Sequence, residues 1–105
     1  VKQYAVIFTP EAQEQLAELY YYIAFAASPE IAKRYTNPIV TYCEGLHTFP
    51  LRGIRRDDIR PSLRVTQYKK RTVIAFNVNV ELVSIIGVFY GGQDYETDLQ
   101  SDLDE

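Results

Sequence analysis

The chain has 105 residues, of which 47% are hydrophobic and 24% charged, a composition that describes one small globular domain rather than a disordered or fibrous chain. No apolar run approaches the roughly 18–20 residues that span a bilayer, and residues 4–8, the first apolar run, are too short for the core of an export signal. The single cysteine, Cys43, excludes an internal disulfide and fits a reducing cytoplasm, the expected location.

The net charge of −3 conceals a marked asymmetry. Residues 52–71 hold eight Lys and Arg against Asp57 and Asp58, a net of +6. Residues 94–105 hold six acidic side chains and no basic one. Such asymmetry is a clue to partners rather than to fold. Taken alone, the acidic end reads as a solvated, frayed terminus.

In chain order, residues 4–8 are rich in aromatic and β-branched side chains and predict a first strand. Thr9-Pro10-Glu11 is a helix start: a hydroxyl to cap free N–H groups, a proline that loses no bond there, and a carboxylate at the positive dipole end. Ala12, Leu16, Leu19, Tyr20, Ile23 and Ala27 then recur at helical spacing and predict one apolar face ending near Ala27. Ser28-Pro29-Glu30 repeats the start signal. A second helix follows, with Ala32, Tyr35, Ile39, Cys43 and Leu46 on one face. So short a link predicts an antiparallel hairpin. Pro38 either kinks this helix or opens a new one capped by Asn37; the continuous apolar register favours the kink. Residues 49–53 end the hairpin, and 55–61 read as polar and irregular. Three strands follow over Leu63–Tyr68, Thr72–Val78 and Leu82–Tyr90. The last is almost wholly apolar, as a strand covered on both faces would be. The first strand is expected at an edge, or beside the last. The class is α+β in the order β-α-α-β-β-β, with the N-terminal helical hairpin packed on an antiparallel sheet. Residues 1–95 form one domain and 96–105 an acidic tail.

The opening strand with Thr9-Pro10-Glu11-Ala12, residues 19–23, and Ser28-Pro29 with Ala32 and Tyr35 resemble ParE toxins of the RelE/ParE superfamily. So do Phe49-Pro50 through Gly53, Arg56-Asp57-Asp58-Ile59-Arg60-Pro61, Leu63-Arg64, Tyr68-Lys69-Lys70-Arg71, and the closing run from Gly87 to Glu96. The order and spacing of these pieces carry the likeness over residues 4–99. The resemblance implies a type II toxin–antitoxin protein, held inactive in a hetero-oligomeric complex by a ParD-like antitoxin. It further implies growth arrest through DNA gyrase and plasmid stabilisation. The RelE branch of the superfamily implies the alternative, ribosome-dependent cleavage of messenger RNA.

Cleavage at a 2′-hydroxyl needs a base, cations for the phosphate and an acid for the leaving group. RelE-type nucleases meet this with a basic cluster, an arginine after the last strand and a C-terminal tyrosine. Arg64 and Tyr95 lie near two of those places. The last strand, however, ends in Phe89-Tyr90-Gly91-Gly92, no basic residue follows Arg71, and acidic chain around Tyr95 would repel RNA. A non-catalytic inhibitor is therefore expected. His47 reads as a helix-end cation, Cys43 as a small core residue, and Asp57 and Asp58 as ion-pair partners of neighbouring arginines. Gly91-Gly92 reads as a turn. Nothing resembles a metal site, and no cofactor is expected.

The remaining chemistry is that of binding. Successive helical residues turn by about 100°, so the core has no room for every member of Tyr20-Tyr21-Tyr22. Tyr21, Tyr22 and Phe25 are expected to be exposed, a large contact area at low entropy cost. The expected antitoxin is acidic and partly disordered. Its predicted contacts are Tyr21, Tyr22, Phe25, Arg56, Arg60, Arg64, Tyr68 and Lys70.

Overall fold

The computed structural model describes residues 4–104. Strand β1 (Ala5–Phe8) leads into α1 (Pro10–Ala26). The Thr9 hydroxyl accepts from the Ala12 amide at 3.2 Å, with Pro10 in the first turn. Ser28 repeats the device at the head of α2 (Pro29–Glu44), accepting from the Ile31 amide at 3.2 Å. Each hydroxyl satisfies one N–H that has no partner inside its helix.

Helix α2 runs unbroken through Pro38, so Asn37 does not start a new helix. The bond lost at the proline falls on the turn of Arg34, which is exposed to solvent. The buried stripe of α2 is Ala32, Thr36, Ile39 and Cys43. Tyr35, expected on this stripe, is instead 50% exposed. Thr36 replaces it because its hydroxyl donates to the Ala32 carbonyl at 3.1 Å, so a polar group enters the core already satisfied. A short 3-10 turn (Gly45–His47) then buries Leu46.

The sheet is completed by β2 (Ile54–Arg55), β3 (Leu63–Tyr68), β4 (Thr72–Val78) and β5 (Leu82–Tyr90), before a final helix α3 (Tyr95–Asp104). The strand order is β1-β5-β4-β3-β2. Neighbours from β2 to β5 are antiparallel, whereas β1 pairs parallel with β5, Ala5 opposite Leu82 and Phe8 opposite Ile85. The sheet is thus mixed rather than wholly antiparallel. The helical hairpin delivers the chain to the far edge, and three successive reversals leave β5 pointing the same way as β1. Strand β2 is a two-residue pair in chain that reads as irregular from its sequence.

Both faces of the sheet are covered. Ile74, Phe76, Val83, Ile85 and Val88 meet Ala12, Ile39, Cys43 and Leu46 of the helical layer. On the opposite face Leu63, Val65, Ala75 and Phe89 pack with Ile59 and Leu99. Strand β5 contributes to both cores, as its apolar sequence predicts. A bulge helps it do so: Ala75 faces Gly87 and Phe76 faces Ile85, which leaves Ile86 as an extra residue.

The acidic end departs most from expectation. It is not a frayed terminus: α3 lies on the second face and Leu99 is 2% exposed. A ten-residue helix is marginal in isolation, so it depends on its contacts with the rest of the fold, the burial of Leu99 among them. Glu105 lies outside the described residues. Among the described residues no helix is long and apolar enough to cross a membrane.

Candidate functional site

The outer face of α1 carries the most exposed aromatic surface. Tyr21, Tyr22 and Phe25 are 65%, 72% and 96% exposed. With Glu18 and Ala26 they line one shallow apolar depression. Their exposure follows from helical rotation, because Leu19, Tyr20 and Ile23 take the inward positions.

The basic segment is divided by the fold. Arg56 is a hub: it pairs in bidentate fashion with Asp58 at 3.0 and 2.8 Å, donates to the Tyr95 hydroxyl at 3.2 Å, and reaches Glu96 of α3. Hydrogen bonds to Asp58 and then Glu96 raise its pKa above the ordinary arginine value. The same contact lowers that of the Asp58 carboxyl. Asp57 is lowered by Arg55 and by the Ser62 amide, which donates to it at 2.8 Å. Asp57 and Asp58 are therefore the ion-pair partners expected of them. Arg60 donates from Nε to the Leu99 carbonyl at 3.2 Å. Arg56 and Arg60 thus clasp α3 to the loop that carries Ile59.

Arg64 lies on the other face, because Leu63 and Val65 point toward α3. Its guanidinium donates to the carbonyls of Leu51 at 2.8 Å and Arg52 at 3.2 Å, fastening the loop before β2. Gly53 in that loop has φ +73°, and a Cβ there would stand 2.2 Å from the Val65 carbonyl oxygen. Only glycine permits this approach. Tyr68 packs against Tyr42 with ring centroids 4.9 Å apart and planes tilted by 48°, and Lys70 stands exposed in the turn between β3 and β4. The predicted contact residues are therefore not one cluster. Tyr21, Tyr22, Phe25, Arg64 and Tyr68 belong to the helical side, and Arg56 and Arg60 to the α3 side.

Tyr95 packs against Phe89 with centroids 6.0 Å apart, on the α3 side. Arg64 and Tyr95, the two positions closest to a nuclease pattern, are consequently on opposite faces. His47 Nδ1 lies 2.6 Å from the Thr48 hydroxyl at the end of the helical layer. Sequence reasoning missed Arg52, whose guanidinium lies 5.4 Å from the Tyr42 ring and 5.5 Å from the Phe49 ring. It also missed Gln15 and Gln93, which bond to β5. A lone glutamine gives no signal until the strand it meets is in place.

The model of the ParE toxins of type II toxin–antitoxin systems matches residues 6–95. The chain belongs to the ParE toxin family. Among solved structures, a chain of the chromosomal ParDE toxin–antitoxin system of P. aeruginosa superposes with a TM-score of 0.72 at 20% identity, covering 85% of this chain and 97% of that one. A chain of the RelBE2 toxin–antitoxin complex of Mycobacterium tuberculosis gives 0.60 at 20% identity, covering 84% and 98%. Both share the fold of this ParE-family protein. No curated protein sequence matches it significantly.

Proposed function

We propose that this ParE-family toxin is neutralised by a ParD-like antitoxin and, once released, inhibits DNA gyrase by binding rather than by catalysis. The observation that carries the reading is the family match over residues 6–95. The exposed Tyr21, Tyr22 and Phe25 support it as contact surface for a protein partner. A cytoplasmic location, growth arrest and plasmid stabilisation belong to the same reading.

The nuclease alternative draws little support from the geometry. Arg64 and Tyr95 point to opposite sides of the sheet, and no Lys or Arg follows Arg71. The test is a gyrase supercoiling assay with the purified toxin, run beside a translation assay. Lost supercoiling with intact translation is expected. Blocked translation with normal supercoiling would reverse the assignment, and expression without antitoxin that leaves growth unaffected would remove the toxin role.

A further inference from the structure

The cations of the basic segment fall into two groups. Arg55 and Arg56 pair with Asp57 and Asp58, while Arg60 and Arg64 donate to main-chain carbonyls of the fold. Arg52, Lys69 and Arg71 have no carboxylate within salt-bridge distance among the described residues. Each lies over an aromatic ring instead. The Arg52 guanidinium reaches the rings of Tyr42 and Phe49, Lys69 Nζ is 5.6 Å from the Tyr68 ring, and the Arg71 guanidinium is 5.9 Å from the Tyr90 ring. The rings themselves form a row. Tyr42 packs against Tyr68, and Tyr68 and Tyr90 stand on either side of Thr72 across β3, β4 and β5. Residues opposite one another in neighbouring strands share a face. The stripe therefore crosses one end of the sheet on its helical side, where Tyr42 and Tyr68 pack.

Arg52 is pre-organised. Arg64 holds the carbonyls of Leu51 and Arg52, and Gly53 turns the loop hard against Val65. The Tyr42 hydroxyl is fixed at 3.2 Å from that of Thr66. The Arg52 guanidinium engages one nitrogen in a long 3.4 Å bond to the Tyr42 hydroxyl, which leaves donors of its planar fork for an anion. Beside it lies a cleft of about 300 Å³ lined by Tyr42, His47, Phe49 and Arg52, and Phe49 is 60% exposed. Residues 45–56 and 59–80 contain no Asp or Glu. The acids around the stripe are turned elsewhere. Glu44 lines a separate cavity with Val6 and Phe8, Asp57 and Asp58 are paired, and Glu18 of α1 stands past Tyr90 and ends the stripe. The acidic α3 lies on the opposite face of the sheet.

We propose that this stripe binds single-stranded nucleic acid, with phosphates on Arg52, Lys69 and Arg71 and an unstacked base on the exposed Phe49 ring. A single strand carries negative charge and flat π surfaces together, which is what alternating cations and rings receive. An acidic peptide supplies the charge without faces to cover the rings, and a duplex keeps its bases stacked inside. None of these contacts reads the sugar, so DNA and RNA strands both fit. The activity is binding without cleavage, because Tyr95 lies on the other face. The inference stands apart from the gyrase and antitoxin readings and adds a nucleic-acid contact to a surface read above for protein partners.

Fluorescence anisotropy of the free toxin with labelled oligothymidylate and oligouridylate of about 12 nucleotides tests it. Binding of either strand supports the proposal, and the tighter one names the source. Log Kd is expected to rise with log salt at a slope of about 2, from three phosphates at about 0.7 each. Arg52→Ala lowers that slope by about 0.7 and weakens binding at least fivefold. Arg52→Lys recovers the slope but not the full affinity, because the planar fork is lost. Phe49→Ala weakens binding about fivefold or more with the slope unchanged, which a surface acting by charge alone would not show. Arg34→Ala removes the same charge from an exposed site about two turns along α2 from Tyr42 and leaves affinity and slope as they were. Thermal midpoints equal to the wild type verify that the variants fold. No salt-dependent binding by the wild type, tighter binding of a duplex of the same length, or equal effects of Arg52→Ala and Arg34→Ala overturns the proposal. A toxin that binds these strands yet leaves supercoiling intact removes the gyrase reading alone.

Discussion

Leu99→Ala measures what α3 contributes to the domain. Leu99 is 2% exposed and packs with Ile59, Leu63, Val65, Ala75 and Phe89. Truncating a buried leucine loses transfer free energy and leaves a cavity, together about 2–5 kcal/mol. Helix α3 lies at the end of the fold and can relax by peeling away, so the loss is bounded by its own docking free energy. The low end of that range, about 2–3 kcal/mol, is expected. In urea, with a slope of about 1.5 kcal/mol/M, the midpoint falls by about 1.3–2 M. Hydrogen exchange over residues 95–104 separates two outcomes: the amides of α3 become fast while those of β4 stay protected. A midpoint change worth less than about 0.5 kcal/mol, the scale of an ordinary surface substitution, would refute the docking of α3.

Two further outcomes follow from the core. A Cβ at Gly87 would lie 2.5 Å from the Phe89 ring, so Gly87→Ala is expected to cost about 1–3 kcal/mol by overpacking, read as a lower thermal midpoint. Adding Phe89→Leu should recover part of the loss. Burial pushes the Cys43 thiol from an ordinary 9.0 up to about 12, with Glu44 adding to the shift. The unfolded chain therefore ionises first, and this contribution to stability is intact below pH 9 and lost as pH rises toward 12. The wild-type thermal midpoint should fall over that window, and Cys43→Ala should flatten the fall.

The features legible in the sequence are those whose causes lie within a few residues. Thr9-Pro10-Glu11 and Ser28-Pro29-Glu30 mark the helix starts because a cap acts on an amide three residues away. The exposure of Tyr21, Tyr22 and Phe25 follows from rotation along one helix. The pairing of Asp57 and Asp58 with Arg55 and Arg56 spans two residues. Tyr35 and Thr36 show where local reasoning stops. Hydropathy favours the tyrosine for the core, yet the straight row through Ala32, Ile39 and Cys43 carries the threonine inward, and its own hydrogen bond makes that tolerable.

Composition also conveys the +6 segment but not how its charges are used. Arg56 meets Glu96 across 40 residues of chain, and Arg60 meets Leu99 across 39. Charge counting treats these arginines as surface for a partner; the folded chain engages them in holding its own last helix. The acidic end is the same lesson from the other side. Its charge is what a solvated terminus would carry, and only the four-residue spacing of Tyr95, Leu99 and Leu103 hints at a helix with an apolar side. The sequence by itself determines the helical hairpin, the three long strands and the exposed aromatic face, because spacing and capping are local. Assembly in space decides the parallel place of β1, the docking of α3 and the bond of Gln15 to Val88 from 73 residues away. Contacts between distant segments exist only once the sheet has brought those segments together.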